Sequence, residues 1–370
     1  MRKIRVLIVD DSTVIRRLLT NALTSDPAIE IAGVAANGKI ALAKIPQVAP
    51  DVITLDMEMP EMDGLTTLVE IRKLYPKLPV IMFSTLTQRG AEATMEAFTK
   101  GANDFATKPS NVGSVTAAIE TVVNELVPKI KQFCNWNSRS SSIARSEMRN
   151  QSDRPSTQRK PLVPVKPSRV EIVVIGVSTG GPNALTAMLP KLPESFPVPI
   201  LIVQHMPPVF TKHLADRLNQ LCKLHVHEAV DGEVLVAGGV WLAPGNFHMT
   251  LRRQGPQLKA VLNQEQPENS CRPAVDVLFR SASELFGANV LAVVMTGMGN
   301  DGQRGCDAIR QAGGRVIVQD EETSVVWGMP GAVFNAGLAH KILPLPRIAD
   351  EILLQTQSSR AVSSRIAVRV

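Results

Sequence analysis

Strand-length apolar runs alternate with helix-length segments along most of the 370-residue chain, and this alternation restricts the fold more than any other feature. Strands that are separated by helices pair in parallel, because each helix returns the chain to the end of the sheet at which the previous strand began. The runs form two series, so two α/β domains are expected. The first series predicts a flavodoxin-like (βα)5 domain over residues 1–127, with strands at residues 4–9, 29–35, 51–55, 79–83 and 104–108.

The second series predicts a larger α/β domain over residues 170–355, again with a doubly wound sheet. Residues 231–264 differ from the rest, because short apolar stretches alternate there with turn residues, as is typical of antiparallel hairpins. We therefore expect an antiparallel hairpin insertion in this domain. Its buried strands are predicted at residues 171–177, 198–204, 290–296 and 315–319.

Residues 128–169 join the two predicted domains and are rich in Ser, Arg, Pro and Asn. This composition is typical of segments that bury no core, so we predict a flexible basic linker here and a disordered tail at residues 356–370. The chain has a formal net charge of +6; the linker carries +8, residues 1–127 carry −2 and residues 170–370 carry 0. Because neither predicted domain is basic, the charge does not indicate a nucleic-acid-binding protein.

Other classes of protein are disfavoured by features that the sequence lacks. No apolar run approaches the roughly 20 residues of a bilayer span, and the opening segment MRKIRVLIVDDS has too short an apolar stretch for a signal peptide. We therefore expect a cytoplasmic protein that is not inserted in a membrane. The cysteines lie far apart without a C-x-x-C pair, which argues against a zinc site or a disulfide framework: Cys134, Cys222, Cys271 and Cys306.

Charged and hydroxyl side chains follow the strands of the first predicted sheet. Asp10 and Asp11 follow the first strand, Asp56 the third, Ser84 the fourth and Lys108 the fifth. Because the carboxyl ends of parallel strands meet at one edge, we expect these side chains to lie together. Crowded carboxylates raise each other's pKa, and a hard cation such as Mg²⁺ relieves the repulsion. Each residue alone has ordinary structural roles, such as helix capping, but together they predict phosphoryl transfer to a carboxylate.

The segments VDDSTVIRR, PDVITLDMEMPEMDGL, PVIMFST and TKPS resemble the response-regulator receiver family across residues 1–127. The resemblance implies that Asp56 accepts a phosphoryl group from a histidine kinase, that Ser84 is the switch hydroxyl and that Lys108 is the family's lysine. It also implies that Mg²⁺ supports the phosphorylation, with ligands from one of the acidic pair Asp10 and Asp11, from the acceptor Asp56 and from the carbonyl two residues beyond it, at Glu58.

The second predicted domain carries a candidate serine nucleophile. Strand EIVVIGV is followed directly by Ser178 within G-x-S-x-G, a pattern typical of a serine on a tight strand-to-helix turn. Alone this pattern is weak, since a glycine-flanked serine is at least as often a phosphate-cradling residue or an ordinary turn residue. A serine nucleophile needs a base and an orienting acid. His205 follows strand VPILIVQ and Asp301 follows strand VLAVVMT, so both are expected at the same sheet edge as Ser178.

A competing interpretation concerns the segment GMGNDG at residues 297–302, which fits the G-x-G-x-x-G dinucleotide fingerprint. Asp301 would direct a negative charge towards a bound pyrophosphate, and the segment follows a late strand of the domain rather than the first. Both observations disfavour a dinucleotide cofactor.

The motifs GVSTGGP, VQHMPPVFTKHLADRL, WLAPGNFHM, CRPAVDVLF, MTGMGNDG and TSVVWGMPGA resemble the chemotaxis protein-glutamate methylesterase catalytic domain over nearly all of residues 170–350. The resemblance implies a triad of Ser178, His205 and Asp301, with Thr179 and Met298 beside the active site. Thr179 N–H, which follows the nucleophile, is our candidate oxyanion donor. No cofactor is expected for the ester chemistry.

The two resemblances together imply a phosphorylation-activated hydrolase. We expect it to remove methyl groups from glutamate γ-methyl esters of methyl-accepting chemoreceptors, releasing methanol, and to deamidate receptor glutamines by the same route. The expected partners are these receptors, at whose arrays it acts, and a chemotaxis histidine kinase. The alternative is a response regulator whose output domain binds DNA, which the neutral charge of residues 170–370 disfavours.

Overall fold

The computed structural model describes residues 2–109, 114–146 and 169–366, with side chains described for residues 2–109, 114–134 and 169–357. The chain divides into two compact units, Met1–Ser156 and Thr157–Val370, and each is described by itself. No helix in the described part of the chain is both long and apolar enough to span a bilayer.

The first unit is a five-stranded parallel sheet in the order β2-β1-β3-β4-β5, which confirms the predicted flavodoxin-like fold. The central strands are apolar and almost wholly buried, because helices cover both faces of such a sheet. The strands are β1 (Ile4–Val9), β2 (Ile29–Ala35), β3 (Val52–Asp56), β4 (Val80–Ser84) and β5 (Asp104–Thr107). The helices are α1 (Thr13–Thr24), α2 (Gly38–Val48), α3 (Gly64–Leu74), α4 (Gln88–Thr99) and α5 (Val115–Ser146).

Polar residues cap the N-termini of several of these helices, shortly after the preceding strands end. Ser12 Oγ accepts a hydrogen bond from Ile15 N at 3.4 Å at the start of α1, and Thr87 Oγ1 accepts one from Gly90 N at 3.0 Å at the start of α4. Such caps satisfy backbone donors of the first helical turn. The strand-to-helix turns therefore stay short, and they hold the residues after each strand at the carboxyl edge of the sheet.

Helix α5 differs from the prediction, because the expected domain boundary between residues 127 and 128 falls inside it. Ile130 and Phe133 are buried, and Lys131 forms an ion pair with Asp26 beyond the end of α1. Packing of the first unit thus continues at least to Phe133, and the helix continues to Ser146. The rest of the predicted linker, residues 147–168, lies outside the described residues.

The second unit contains a seven-stranded parallel sheet in the order β14-β13-β12-β6-β7-β9-β8. The strands are β6 (Ile172–Val177), β7 (Ile200–Gln204), β8 (His225–Glu228), β9 (Gly239–Leu242), β10 (His248–Gln254), β11 (Gln257–Asn263), β12 (Val290–Val294), β13 (Arg315–Gln319) and β14 (Lys341–Leu343). The α-helices are α6 (Gly181–Met188), α7 (Phe210–Leu221), α8 (Val275–Phe286), α9 (Gln303–Gln311), α10 (Met329–Asn335) and α11 (Leu345–Ile366).

The predicted antiparallel insertion is smaller than expected. Strands β10 and β11 form an antiparallel hairpin over residues 248–263, but β9 pairs in parallel with β7 and β8. The reason is packing, because Trp241 on β9 is 2% exposed and belongs to the hydrophobic core of the unit. A strand buried in this way lies within the main sheet and not in a surface hairpin.

The predicted disordered tail also differs from the structure. Helix α11 runs through residue 356 and ends at Ile366. Thr356 is buried, and its hydroxyl donates to Ile352 O at 2.9 Å. The second unit therefore extends past the predicted limit at residue 355; residues 367–370 lie outside the described part.

Candidate active site and acidic pocket

The carboxyl edge of the first sheet gathers the predicted acidic residues around one lysine. Asp56 is the last residue of β3, Asp10 follows β1 and Lys108 follows β5. Lys108 Nζ lies 2.9 Å from Asp10 Oδ2 and 2.7 Å from Asp56 Oδ1. Carboxylate oxygens of Asp10, Asp11 and Asp56 lie within 4.8 Å of one another. The sheet topology thus brings these four side chains into one acidic pocket, as the sequence analysis predicts.

Burial controls the electrostatics of the acidic pocket. Burial raises the pKa of Asp56 to about 6; the hydrogen bond from Lys108 opposes this rise, and the charge of Asp10 adds to it. Burial also raises the pKa of Asp10, against the opposing effect of Lys108. Burial would lower the pKa of Lys108, but its hydrogen bonds and ion pairs with the two carboxylates raise it. One lysine therefore does not fully compensate the buried carboxylates.

The donor set of the acidic pocket fits a hard divalent cation. All three candidate ligand side chains offer carboxylate oxygens, which Mg²⁺ prefers. Asp56 Oδ2 is buried and has no hydrogen-bond partner in the described part of the chain. A buried carboxylate oxygen without a partner is costly, and a bound cation would remove that cost.

The two remaining residues predicted for the acidic pocket lie at its margin. Glu58 N donates a long hydrogen bond of 3.4 Å to Asp56 Oδ1, while the exposed side chain of Glu58 pairs with Arg89. Ser84, at the end of β4, is buried and donates to Gly90 O at 3.0 Å. The structure thus places Ser84 at the neighbouring strand end with its hydroxyl bonded to α4.

The carboxyl edge of the second sheet carries the three predicted catalytic residues on adjacent strands. Ser178 follows β6, His205 follows β7 and Asp301 lies in the loop after β12, in the spatial order β12-β6-β7. Ser178 N donates to Thr296 O at 3.0 Å, and His205 N donates to Val177 O at 3.2 Å. These backbone bonds continue the sheet and fix the turns on which the side chains stand.

His205 and Asp301 form a close pair. His205 Nε2 donates to Asp301 Oδ2 across 2.7 Å, and both side chains are largely buried. A carboxylate can only accept when ionised, so this bond places the proton on Nε2 and leaves Nδ1 as the basic nitrogen. Burial would lower the pKa of His205, but the hydrogen bond to Asp301 is the foremost of several contacts that raise it. Asp301 therefore stabilises the imidazolium that forms when His205 Nδ1 takes up a proton.

Asp301 is held by four further donors. Its Oδ2 also accepts from Val275 N at 2.7 Å, and its Oδ1 accepts from Asn269 Nδ2 at 2.8 Å and from Asp276 N and Gly302 N at 3.0 Å each. Two of these donors belong to the first turn of α8, whose free N–H groups favour a negative charge. Burial would raise the pKa of Asp301, but the bond from His205 and these backbone donors hold it below its ordinary value.

Ser178 follows β6 at the carboxyl edge of the sheet, but its hydroxyl is not hydrogen-bonded to His205. In the described part of the chain its Oγ has no hydrogen-bond partner, and His205 Nδ1 instead faces Cys271 Sγ at 3.6 Å. Catalytic hydrogen bonds are often long or absent without substrate, so this arrangement is compatible with a nucleophile and its base. Gly297 packs directly behind Ser178, where a Cβ atom would lie 2.9 Å from Ser178 Cβ.

The predicted neighbours of the nucleophile lie on the loops around it. Thr179 is buried; its carbonyl accepts from Thr296 Oγ1 at 2.9 Å, while its N–H has no partner among the described residues. This free N–H precedes α6, as expected of an oxyanion donor. Met298 lies half-buried in the loop between β12 and α9.

Sequence reasoning missed several residues that shape this site. Gln204 is buried, and its Nε2 donates to Ser178 O at 2.9 Å and to His205 O at 3.2 Å, so it joins the two catalytic turns. The signal was a polar residue at the end of an otherwise apolar strand. Asn269 and Cys271 lie in an irregular segment before α8, where no periodic pattern points to them.

Comparison with known proteins identifies both units. A family model described as "CheB methylesterase" matches residues 173–352, and one described as "Response regulator receiver domain" matches residues 6–120. A protein-glutamate methylesterase/protein-glutamine glutaminase of Trichodesmium erythraeum is 56% identical over 353 residues, which cover 95% of this chain and 99% of that protein. A protein of the same name from Nocardioides sp. is 47% identical over 362 residues, 97% of each chain.

Among solved structures, the CheB methylesterase catalytic domain of Thermotoga maritima is 45% identical to this chain, with a TM-score of 0.49. The match covers 50% of this chain and 98% of that chain. The sequence relatives match nearly the whole chain, across both units. The prediction of a receiver followed by a methylesterase domain is therefore confirmed, and the alternative of a DNA-binding output domain gains no support. The chain belongs to the CheB methylesterase family, as a member that carries an amino-terminal response-regulator receiver domain.

Proposed function

We propose that this protein is a chemotaxis protein-glutamate methylesterase that hydrolyses γ-glutamyl methyl esters on methyl-accepting chemoreceptors in the cytoplasm. The observation that carries the proposal is the 2.7 Å bond between His205 and Asp301, which follow the two strands on either side of the strand that leads to Ser178. The relatives that match the chain over nearly its full length are named for this activity.

The geometry supports the following route. Ser178 Oγ attacks the ester carbonyl while His205 Nδ1, the nitrogen not used by Asp301, removes the hydroxyl proton. The free N–H of Thr179 stabilises the oxyanion that forms, and Asp301 stabilises the imidazolium. His205 then donates the proton to the leaving methoxide, so methanol departs and an acyl-enzyme remains. Water, deprotonated by His205, hydrolyses that intermediate and restores Ser178.

Deamidation follows from the same steps with a different leaving group. A glutamine side chain presents a carbonyl at the same position, and His205 donates its proton to the leaving nitrogen, so that ammonia departs in place of methanol. The product in both reactions is a glutamate side chain. We propose this second activity because the relatives' printed names include protein-glutamine glutaminase.

The receiver regulates the esterase in this proposal. Asp56 accepts a phosphoryl group from a chemotaxis histidine kinase, with Lys108 beside it to contact the new oxygens. Asp10, Asp11, Asp56 and the carbonyl of Glu58 would hold Mg²⁺, which would supply positive charge to offset that of the phosphoryl group. Ser84 is the switch hydroxyl that turns towards the phosphoryl group. Phosphorylation adds nearly two negative charges to the acidic pocket and raises esterase activity.

The decisive measurement is methanol release from methylated receptor membranes by the full chain, with and without acetyl phosphate. Ser178→Ala removes the nucleophile, so the rate should fall by roughly 10⁴–10⁶-fold. Ser195→Ala, at an exposed serine of the same unit, is the matched control and should keep the parental rate. Methanol release that persists in Ser178→Ala would refute the proposed mechanism.

A further inference from the structure

Cys271 contacts the catalytic imidazole, although the proposed reaction gives its thiol no part. Its Sγ lies 3.6 Å from His205 Nδ1. A tight turn holds it there, since Glu268 N donates to Cys271 O at 3.1 Å and Cys271 N donates to Glu268 O at 2.9 Å. Asn269 and Ser270 inside this turn both have positive φ angles, of 52° and 62°. The backbone of this turn therefore holds the thiol of Cys271 against the imidazole of His205.

The 3.6 Å between Cys271 Sγ and His205 Nδ1 matches the distance between two ligand atoms of a tetrahedral zinc site. Zinc lies about 2.3 Å from a cysteine sulfur and about 2.0–2.1 Å from a histidine nitrogen. At a tetrahedral angle, two such ligands stand about 3.5–3.6 Å apart. A single ion can therefore bridge Cys271 and His205 with little movement of either side chain.

The surroundings of the pair also suit a metal ion. Histidine ligands commonly donate their other ring nitrogen to a carboxylate that fixes the ring, and His205 Nε2 does so to Asp301. Asp301 belongs to the same cluster, but its oxygens already accept five hydrogen bonds, so it would act from outside the first coordination shell. Cys271 is half-buried and the side chain of His205 is 12% exposed, which leaves a path for the ion and for water ligands.

We propose that Cys271 and His205 bind a thiophilic divalent cation of the Zn²⁺ class, and that this ion inhibits the esterase. A thiolate selects Zn²⁺ or Cd²⁺ over Mg²⁺. On binding, a metal–sulfur bond and a metal–nitrogen bond form, and the thiol proton, together with the Nδ1 proton where the imidazole carries one, passes to solvent. The ion then occupies Nδ1, so His205 cannot take the proton of Ser178. The inhibition rests on the proposed function, whereas the binding does not.

The binding is tested with Cd²⁺ on the full chain, by following the ultraviolet charge-transfer absorbance of a cadmium–thiolate bond. We expect a saturable band in the parent, no such band in Cys271→Ser or Cys271→Ala, and at least about tenfold weaker binding in His205→Gln. Cys222→Ser, at the end of α7, is the matched control and should keep the band. An unchanged band in both Cys271 variants would overturn the site.

Inhibition is tested separately by methanol release, with each variant compared with its own metal-free rate. Zn²⁺ should inhibit the parent and Cys222→Ser by more than tenfold and leave Cys271→Ser unaffected. A parent that binds Cd²⁺ through Cys271 yet keeps its full rate with Zn²⁺ would overturn the inhibition. A metal-free parent that releases no methanol would instead refute the proposed function, and the absorbance titration would still decide the metal site.

Discussion

Asp56 and Asp301 are both buried carboxylates at the carboxyl edge of a parallel sheet, yet their surroundings are opposite. Asp301 accepts five hydrogen bonds, four of which come from groups other than His205. Asp56 has an ion pair with Lys108, one long contact from Glu58 N and an oxygen with no described partner. The pKa of Asp301 is accordingly lowered, whereas burial raises that of Asp56 to about 6.

The contrast separates a carboxylate that is held in place from one that is left able to react. Every lone pair of Asp301 is directed by the fold, so this group stays ionised and orients the imidazole of His205. Asp56 keeps unsatisfied bonding capacity, which costs stability but leaves room for a cation and a phosphoryl group. The two sites thus use the same residue type and the same sheet edge for different chemistry.

Among the variants that test this contrast between Asp56 and Asp301, the largest effect is expected from Asp301→Asn, which tests the idea that this carboxylate is a fixed orienting group. The rate of methanol release should fall by roughly 10³–10⁴-fold, because the imidazolium loses its counter-charge and the ring loses its defined tautomer. The raised pKa of His205 should fall, so the acidic limb of the kcat/KM profile should move to lower pH. A rate within tenfold of the parent would show that Asp301 is not the orienting acid.

Asp56→Asn is expected to stabilise the protein, and this effect should be smaller than the loss of rate in Asp301→Asn. The measurement is the free energy of unfolding without Mg²⁺. Well below pH 3.8 the parental carboxyl is protonated in both folded and unfolded states, so its ionisation does not lower the free energy of unfolding. As the pH rises towards about 6, the unfolded state ionises first and the folded parent loses stability. At pH 8 the variant should therefore be more stable than the parent by about 2–3 kcal/mol.

Two controls sharpen this second prediction. Asp63→Asn, at the exposed cap of α3, keeps a capping side chain and should leave the stability unchanged within about 0.5 kcal/mol. Added Mg²⁺ should stabilise the parent more than Asp56→Asn, because binding to the folded state alone shifts the equilibrium. If Asp56→Asn lowers the free energy of unfolding at pH 8, the charge of Asp56 does not destabilise the folded state and the prediction is wrong.

The smallest effect is expected from Asn269→Ala, which removes one of the five donors to Asp301. Losing one hydrogen bond to a charged group should lower the rate roughly tenfold. Because Asn269 has a φ of 52°, Asn269→Gly serves as a matched variant that loses the amide without backbone strain. Equal rate losses in both variants support the role of the amide; a loss confined to Asn269→Ala would assign the effect to the backbone.

The sequence located the strand ends well because buried parallel strands are short apolar runs with abrupt ends. Asp10, Asp56, Lys108, Ser178 and His205 could each be assigned to a strand end from the run that precedes it. Topology then requires these residues to meet at an edge, whatever the details of packing. Both folds and most residues of each candidate site are therefore predictable from the sequence.

The remaining parts depend on packing that composition does not encode. Residues 128–134 fall in the predicted linker because the segment as a whole is rich in Ser, Arg, Pro and Asn, although the spacing of Leu126, Ile130 and Phe133 fits one face of a helix. Strand β9 falls in the predicted hairpin insertion because its short apolar run lies among turn residues. The donors from α8 to Asp301 could not be predicted, since they are backbone groups brought in by tertiary structure.

The amide of Asn269 also bears on the chemical durability of the protein. Its Nδ2 lies between two carboxylates, 2.9 Å from Asp276 Oδ2 and 2.8 Å from Asp301 Oδ1, and it donates to both. Spontaneous hydrolysis of this amide to an acid would replace that donor with a third carboxylate. The three acids would then repel one another and raise the pKa of Asp301. Ageing at a single side chain would thus impair catalysis while the rest of the fold stayed intact.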